Sequence, residues 1–188
     1  MKNLKTIAIA ILATISLTVS AQTKTVDASK STINWVGKKV TGSHEGTIGI
    51  KNGTLVFKKN KLTGGTFVVD MNALTVTDLA SGKGKENLEG HLKADDFFGT
   101  TKFPTSTLVF KKVASKANGI YTVTGDLTIK GITKPIIFDL ATTATTAATT
   151  LKVDRTKYDI KYNSGNFFQN LGDKVINDDF ELKVALQF

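Results

Sequence analysis

Few residues in this chain could carry chemistry, and their spacing limits what that chemistry could be. There are two histidines, His44 and His91. His44 precedes Glu45, and His91 precedes Asp95 by four positions, a spacing that shares one face of a helix. A metal centre needs three or four converging ligands. Here that would require distant strands to meet, so both histidines read as side chains hydrogen-bonded to backbone or carboxylate, and no metal is expected. Asp95-Asp96 could supply paired carboxylates for acid–base work, but adjacent residues on a short helix diverge. Arg155 is the one arginine, preceded by Asp154. It is either an ion pair or strand-end anchor, or a polar contact for the head of a ligand. No Gly-x-Ser-x-Gly elbow, phosphate loop or dinucleotide fingerprint is present. The chain has no cysteine, which removes disulfides, thiolate zinc sites and thiol catalysis. No catalytic residue and no cofactor are nominated.

The elements that must position these residues are short and alternating. Ile33 and Trp35 open one segment, and Phe67, Val69 and Met71 share a face in "LTGGTFVVDM". Leu108 and Phe110 do so in "STLVFKK", and Leu151 and Val153 in "LKVDR". "GDLTIKGITKPIIFDL" gives Leu127 and Ile129, a break over Lys130–Pro135, then Ile136, Phe138 and Leu140. The last run, Phe180 to Phe188, alternates throughout, with Phe180, Leu182, Val184 and Leu186 on the apolar side. Period 2 means strands with one buried face. Asn52-Gly53 between two such runs predicts a type I′ hairpin. Only "SGKGKENLEGHLKADDFFG" breaks the period; Leu88 and Leu92 there predict one or two helical turns ended by Gly99. The Ala141–Thr150 run of threonine and alanine is compatible with strand or loop. The regular spacing predicts one antiparallel barrel or sandwich.

The first 21 residues read as a signal peptide: Lys2 and Lys5, an apolar run from Ile7 to Val19, then Val19-Ser20-Ala21. Residues 22–188 form the single mature domain, to which core burial alone gives stability. The formal net charge is +9. With a lone arginine and scattered lysines, nucleic acid is not expected as a partner; the lysines read as a solvated strand surface with weak attraction to anionic membranes. Self-association into a homodimer stays open.

Four stretches together resemble the YceI-like family of lipocalin-like, polyisoprenoid-binding proteins. They are "STINWVGKKVTGSHEGTIG" (Ser31 to Gly49), "GHLKADDFFGTTKFP" (Gly90 to Pro104), "GDLTIKGITKPI" and "VDRTKYDI". They occur in the family's order across nearly the whole mature chain, while "NSGNFFQN" after Asp159 departs from the pattern. The resemblance implies an exported, lipocalin-like eight-stranded antiparallel barrel with a short helical segment and a long apolar cavity able to hold an isoprenoid chain.

An elongated tunnel would place the apolar sides of the alternating segments around the ligand, a long-chain isoprenoid or fatty lipid. Its expected wall is Trp35, Phe67, Leu127, Ile129, Phe138, Phe180 and Leu182. Phe97 and Phe98 are placed to close one end, with His44, His91 and Arg155 as polar contacts. Two other classes of function are weighed against this carrier: an enzyme for a small apolar substrate in the same cavity, and a structural or stress protein with a solid barrel. Cleavage after Ala21 leaves 167 residues, so mass analysis of exported protein should find Gln22 first; full-length chain retained in the membrane fraction would contradict export.

Overall fold

The computed structural model describes residues 20–188. Eight antiparallel strands close a barrel around one core, and a ninth lies on its rim. In chain order they are β1 (Ala21–Thr25), β2 (Thr32–Lys39), β3 (Gly42–Lys58), β4 (Lys61–Val76), β5 (Thr105–Ser115), β6 (Ile120–Ile129), β7 (Ile132–Thr142), β8 (Thr146–Asp154) and β9 (Ile176–Gln187), with a helix α1 (Lys85–Lys93) between β4 and β5. Neighbours around the ring run β3-β2-β9-β8-β7-β6-β5-β4, and pairing of β3 with β4 closes it. The rim strand β1 continues the line of β2 along the same edge of β3, pairing Thr25 with Thr54 where β2 pairs Ile33 with Ile48.

The Asn52-Gly53 hairpin does not form. β3 runs through it, and the turn comes at Lys59-Asn60, both with positive φ (51° and 59°). What resembled a turn is a β-bulge. The register jumps between Ile50↔Val69 and Asn52↔Val68, so Lys51 is the extra residue and the inward phase flips from Ile48 to Gly53, Leu55 and Phe57. Gly53 is small because the ring of Phe67 crosses it: an added Cβ would lie 2.7 Å from Phe67 Cδ1. The expected break over Lys130–Pro135 shrinks to Lys130-Gly131, with φ of 53° and 73°. Pro135 lies inside β7, on a strand whose far edge is largely unpaired and therefore asks nothing of a missing N–H.

That unpaired edge is the seam of the barrel. β7 and β8 share only Ala141↔Ala148 and Thr142↔Ala147, and beyond them the Thr149 hydroxyl donates to the Asp139 carbonyl at 2.6 Å. The Ala141–Thr150 run is thus the end of β7, a turn over residues 143–145 and the start of β8.

The helix is longer than two turns and stops at Lys93, before Gly99, so Asp95 lies past its end and shares no helical face with His91. Instead Asp95 pairs with Lys102. α1 packs at the end of the barrel where β4 outlasts β5, whose pairing stops at Asp70↔Thr105. There Glu89 Oε1 accepts from the Val76 N–H at 2.9 Å, satisfying a donor on the open edge of β4. Leu92 is buried, with Leu88 against the core.

Trp35 locks β2, β3 and β4 together. Its indole N–H donates to the Thr75 carbonyl at 3.1 Å, passing directly over Gly46. A Cβ on Gly46 would lie 1.8 Å from that oxygen and 2.7 Å from Trp35 Nε1. Gly46→Ala should therefore cost about 3 kcal/mol of stability as an overpacked site, read by urea denaturation, whereas Gly90→Ala on α1, where a Cβ meets nothing, should stabilise by about 0.5–1 kcal/mol.

Candidate ligand chambers

The barrel interior holds two apolar cavities. The first, about 120 Å³, lies at the helical end, lined by Trp35, Ile48, Leu74, Phe97, Phe98 and Phe180 among others. The second, about 90 Å³, lies deeper, lined by residues that include Phe67, Leu108, Phe110, Leu127, Phe138 and Leu182. The division falls at one inward step on three neighbouring strands: Trp35 to Ile33 on β2, Ile48 to Ile50 on β3, Phe180 to Leu182 on β9. Two residues of strand span about 7 Å, so one layer of side chains separates the chambers. The expected continuous tunnel is two rooms back to back.

The expected wall residues divide accordingly. Trp35, Phe97, Phe98 and Phe180 line the first chamber, and Phe67, Leu127, Phe138 and Leu182 the second. Ile129 lines neither; it is buried near the β6–β7 turn. Phe98 and Phe180 meet edge to face at 6.1 Å, a favoured aromatic geometry. The run from Phe180 is the later part of β9, which starts four residues earlier at Ile176. Ile48 and Leu74 were missed as wall residues because β-bulges interrupt the alternation of β3 and β4.

The three expected polar contacts, His44, His91 and Arg155, all border the first chamber. Two are already committed. His44 Nδ1 lies 2.8 Å from Asp78 Oδ2. Burial pushes the Asp78 carboxyl up, but hydrogen bonds from the Glu45 N–H and from His44 outweigh it and hold it below the ordinary carboxylate range. Arg155 is 2 % exposed and donates through Nε to the Asn177 carbonyl, through Nη1 to Ile160 and through Nη2 to Ile176, at 2.9–3.0 Å. The carboxylate facing it is Asp178, at 3.5 Å, a charge contact longer than a hydrogen bond. Asp154 instead accepts from Thr156 and caps the 3₁₀ turn Arg155–Tyr158. Burial lowers the Arg155 guanidinium against the pull of Asp178 and Asp154. His91 meets Tyr162 and Phe97 edge to face, with ring centroids 4.5 and 5.5 Å away, and its buried Nε2 has no partner.

The second chamber borders hydroxyl groups that were not expected, those of Ser106, Thr107 and Thr149. Ser106 on β5 is buried and its hydroxyl has no partner; its place opposite Val69, inside an alternating strand, was the available signal. Among the described residues no three His, Cys, Asp or Glu side chains gather as a metal would require.

A model of the YceI-like domain matches residues 25–188. The chain is 36 % identical over 85 residues to a UPF0312 protein of Shewanella denitrificans, covering 45 % of this chain and 42 % of that protein. It is 32 % identical over 114 residues to one of Staphylococcus aureus, covering 55 % and 62 %. The matches therefore span less than two thirds of these relatives. Its fold is similar to that of BcnA from Burkholderia cenocepacia, with a TM-score of 0.70 at 21 % identity over 87 % of this chain and 99 % of that one. It is also similar to a polyisoprenoid binding domain from Saccharophagus degradans, with a TM-score of 0.61 at 16 % identity over 90 % and 97 %.

Removing the guanidinium would take its donors from the carbonyls of Ile160, Ile176 and Asn177 and the positive charge from beside Asp178. Arg155→Ala should cost about 3–5 kcal/mol of stability, measured by urea denaturation; a loss below about 1 kcal/mol would show that Arg155 does not hold this end together.

Proposed function

The chain belongs to the YceI-like domain family, and from that membership we propose that it is an exported binding protein that carries or sequesters a long-chain isoprenoid or similar lipid inside the barrel. The observation that carries this is the pair of apolar chambers aligned along the interior of one closed barrel. Export rests on the sequence of the first 21 residues, most of which lie outside the described part. The polyisoprenoid binding domain of the same fold from Saccharophagus degradans supports the ligand class.

Size sets the terms of binding. A dry apolar cavity of about 150 Å³ takes one benzene-sized guest, so each chamber as it stands takes a guest no larger. A long chain must occupy both, and the layer between them must yield. Phe180 is the residue to move: it borders Phe98 on one side and the Leu182 step on the other. Burial then supplies the affinity. At roughly 0.8 kcal/mol per methylene, two or three five-carbon units exceed the ~8 kcal/mol of micromolar binding before the costs of ordering are subtracted. The polar groups around the first chamber face the ligand's head, and among them His91 Nε2 is buried without a partner.

Lipid extraction and native mass spectrometry of gently purified protein should show a bound apolar chain. Leu182→Trp should fill the second chamber and reduce the lipid carried several-fold, with little change in melting temperature, because the added volume replaces ligand. In a solid barrel the same change would overpack and cost about 1–3 kcal/mol. Lipid-free protein together with that loss of stability would overturn the carrier.

A further inference from the structure

Two phenylalanine pairs occur outside the regular strands, and the fold treats them oppositely. Phe97 and Phe98 are buried, at 7 % and 9 % exposure. Phe167 and Phe168 are each 50 % exposed, in the connection between β8 and β9. That exposure is held in place: the N–H groups of both residues donate to the carbonyl of Ser164, whose side chain is fully buried. Ile176 N–H binds the Asn163 carbonyl, and Arg155 fixes the flanking backbone at Ile160 and Ile176.

A second apolar tip stands at the same end. Val40, at the turn between β2 and β3, is 63 % exposed and its N–H donates to the Val175 carbonyl. Gly165, two residues before Phe167, packs toward Val175. Lysines flank both tips. Lys38, Lys39 and Lys174 are exposed, and none of them is among the lysines that pair with a carboxylate within 4 Å, which include the neighbours Lys157 and Lys161. Lys38 and Lys39 also line the first chamber.

We propose that this end of the barrel docks on a bilayer containing anionic phospholipid, with Val40, Phe167 and Phe168 entering the interface and Lys38, Lys39 and Lys174 meeting the headgroup phosphates. One aromatic and one aliphatic tip, flanked by unpaired lysines, match the layered chemistry of a lipid surface, apolar below and anionic above. They do not form the flat, closely packed patch that a protein partner needs. The docked face carries the polar rim of the first chamber, so a chain could pass between bilayer and barrel without crossing water; that use rests on the carrier function, whereas docking itself does not require cargo.

Sedimentation of the mature protein with vesicles of phosphatidylglycerol and phosphatidylcholine in equal parts tests docking directly. Wild type should pellet with these at low salt and much less with phosphatidylcholine alone. Phe167→Ser with Phe168→Ser should weaken binding about tenfold or more, as expected for two half-buried rings. Lys38→Gln with Lys39→Gln should weaken it about fivefold per lysine. Lys58→Gln with Lys61→Gln makes the same charge change at the opposite end and should leave binding unchanged. Circular dichroism and melting temperature should match wild type in all three variants. Wild type failing to pellet, the serine variant binding as well as wild type, or both lysine pairs weakening binding equally would each overturn the proposal. Because no step reads cargo, these outcomes are independent of whether the barrel carries lipid.

Discussion

The helical end of the barrel is organised around a single buried guanidinium. Arg155 sits where β8 stops, and at 2 % exposure its donors turn to the protein for partners. Folding compensates its desolvation only if the backbone wraps it, so Ile160, Ile176 and Asn177 turn their carbonyls inward. That requirement shapes the connection from β8 to β9 and sets where β9 begins. It also brings Phe97 against the guanidinium, 5.8 Å from ring centre to Cζ. Arginine does this where lysine could not, since a planar fork reaches three acceptors in different directions.

Around that anchor, aromatic side chains do what a ring of strands cannot. Eight strands enclose a space narrow enough for side chains to fill. Here Trp35, Phe97, Phe98 and Phe180 surround the space at one end, and Phe67, Phe110 and Phe138 at the other, with Phe110 within 5.5 Å of Phe67 and 5.9 Å of Phe138 between ring centres. Large rigid rings leave gaps that small branched side chains would close. The interior is therefore divided rather than empty, and what separates the rooms is rotatable side chain, not backbone.

The architecture was largely legible in the sequence because one-sided burial writes period 2 into every strand: β6 and β9 read directly, and the helix between β4 and β5 showed as a loss of that period. The errors came where backbone irregularity imitates a turn. At Lys51 one extra residue shifts the phase of β3, and Asn52-Gly53 then looks like a hairpin although the glycine serves the ring of Phe67. Which phenylalanine doublet is inside depends on what chain folds over it, information that no local pattern carries. The same holds for Arg155, whose unusual role was visible only as its being unique, while its carbonyl partners lie up to 22 residues away. Ile129 shows the limit of reading by face: it points inward as its period requires, yet at a height along the barrel outside both chambers.

The seam between β7 and β8 gives this barrel a mechanical property that a uniformly laddered one lacks. A cylinder sealed by continuous hydrogen bonds can widen only by breaking a ladder along its length. Here one join is held by two residue pairs near the turn and one threonine hydroxyl, so the wall behaves as a split collar. Its circumference can grow by parting one line, leaving the other seven joins intact. Elastic strain from a bulky occupant would then concentrate along that line rather than spread through the sheet.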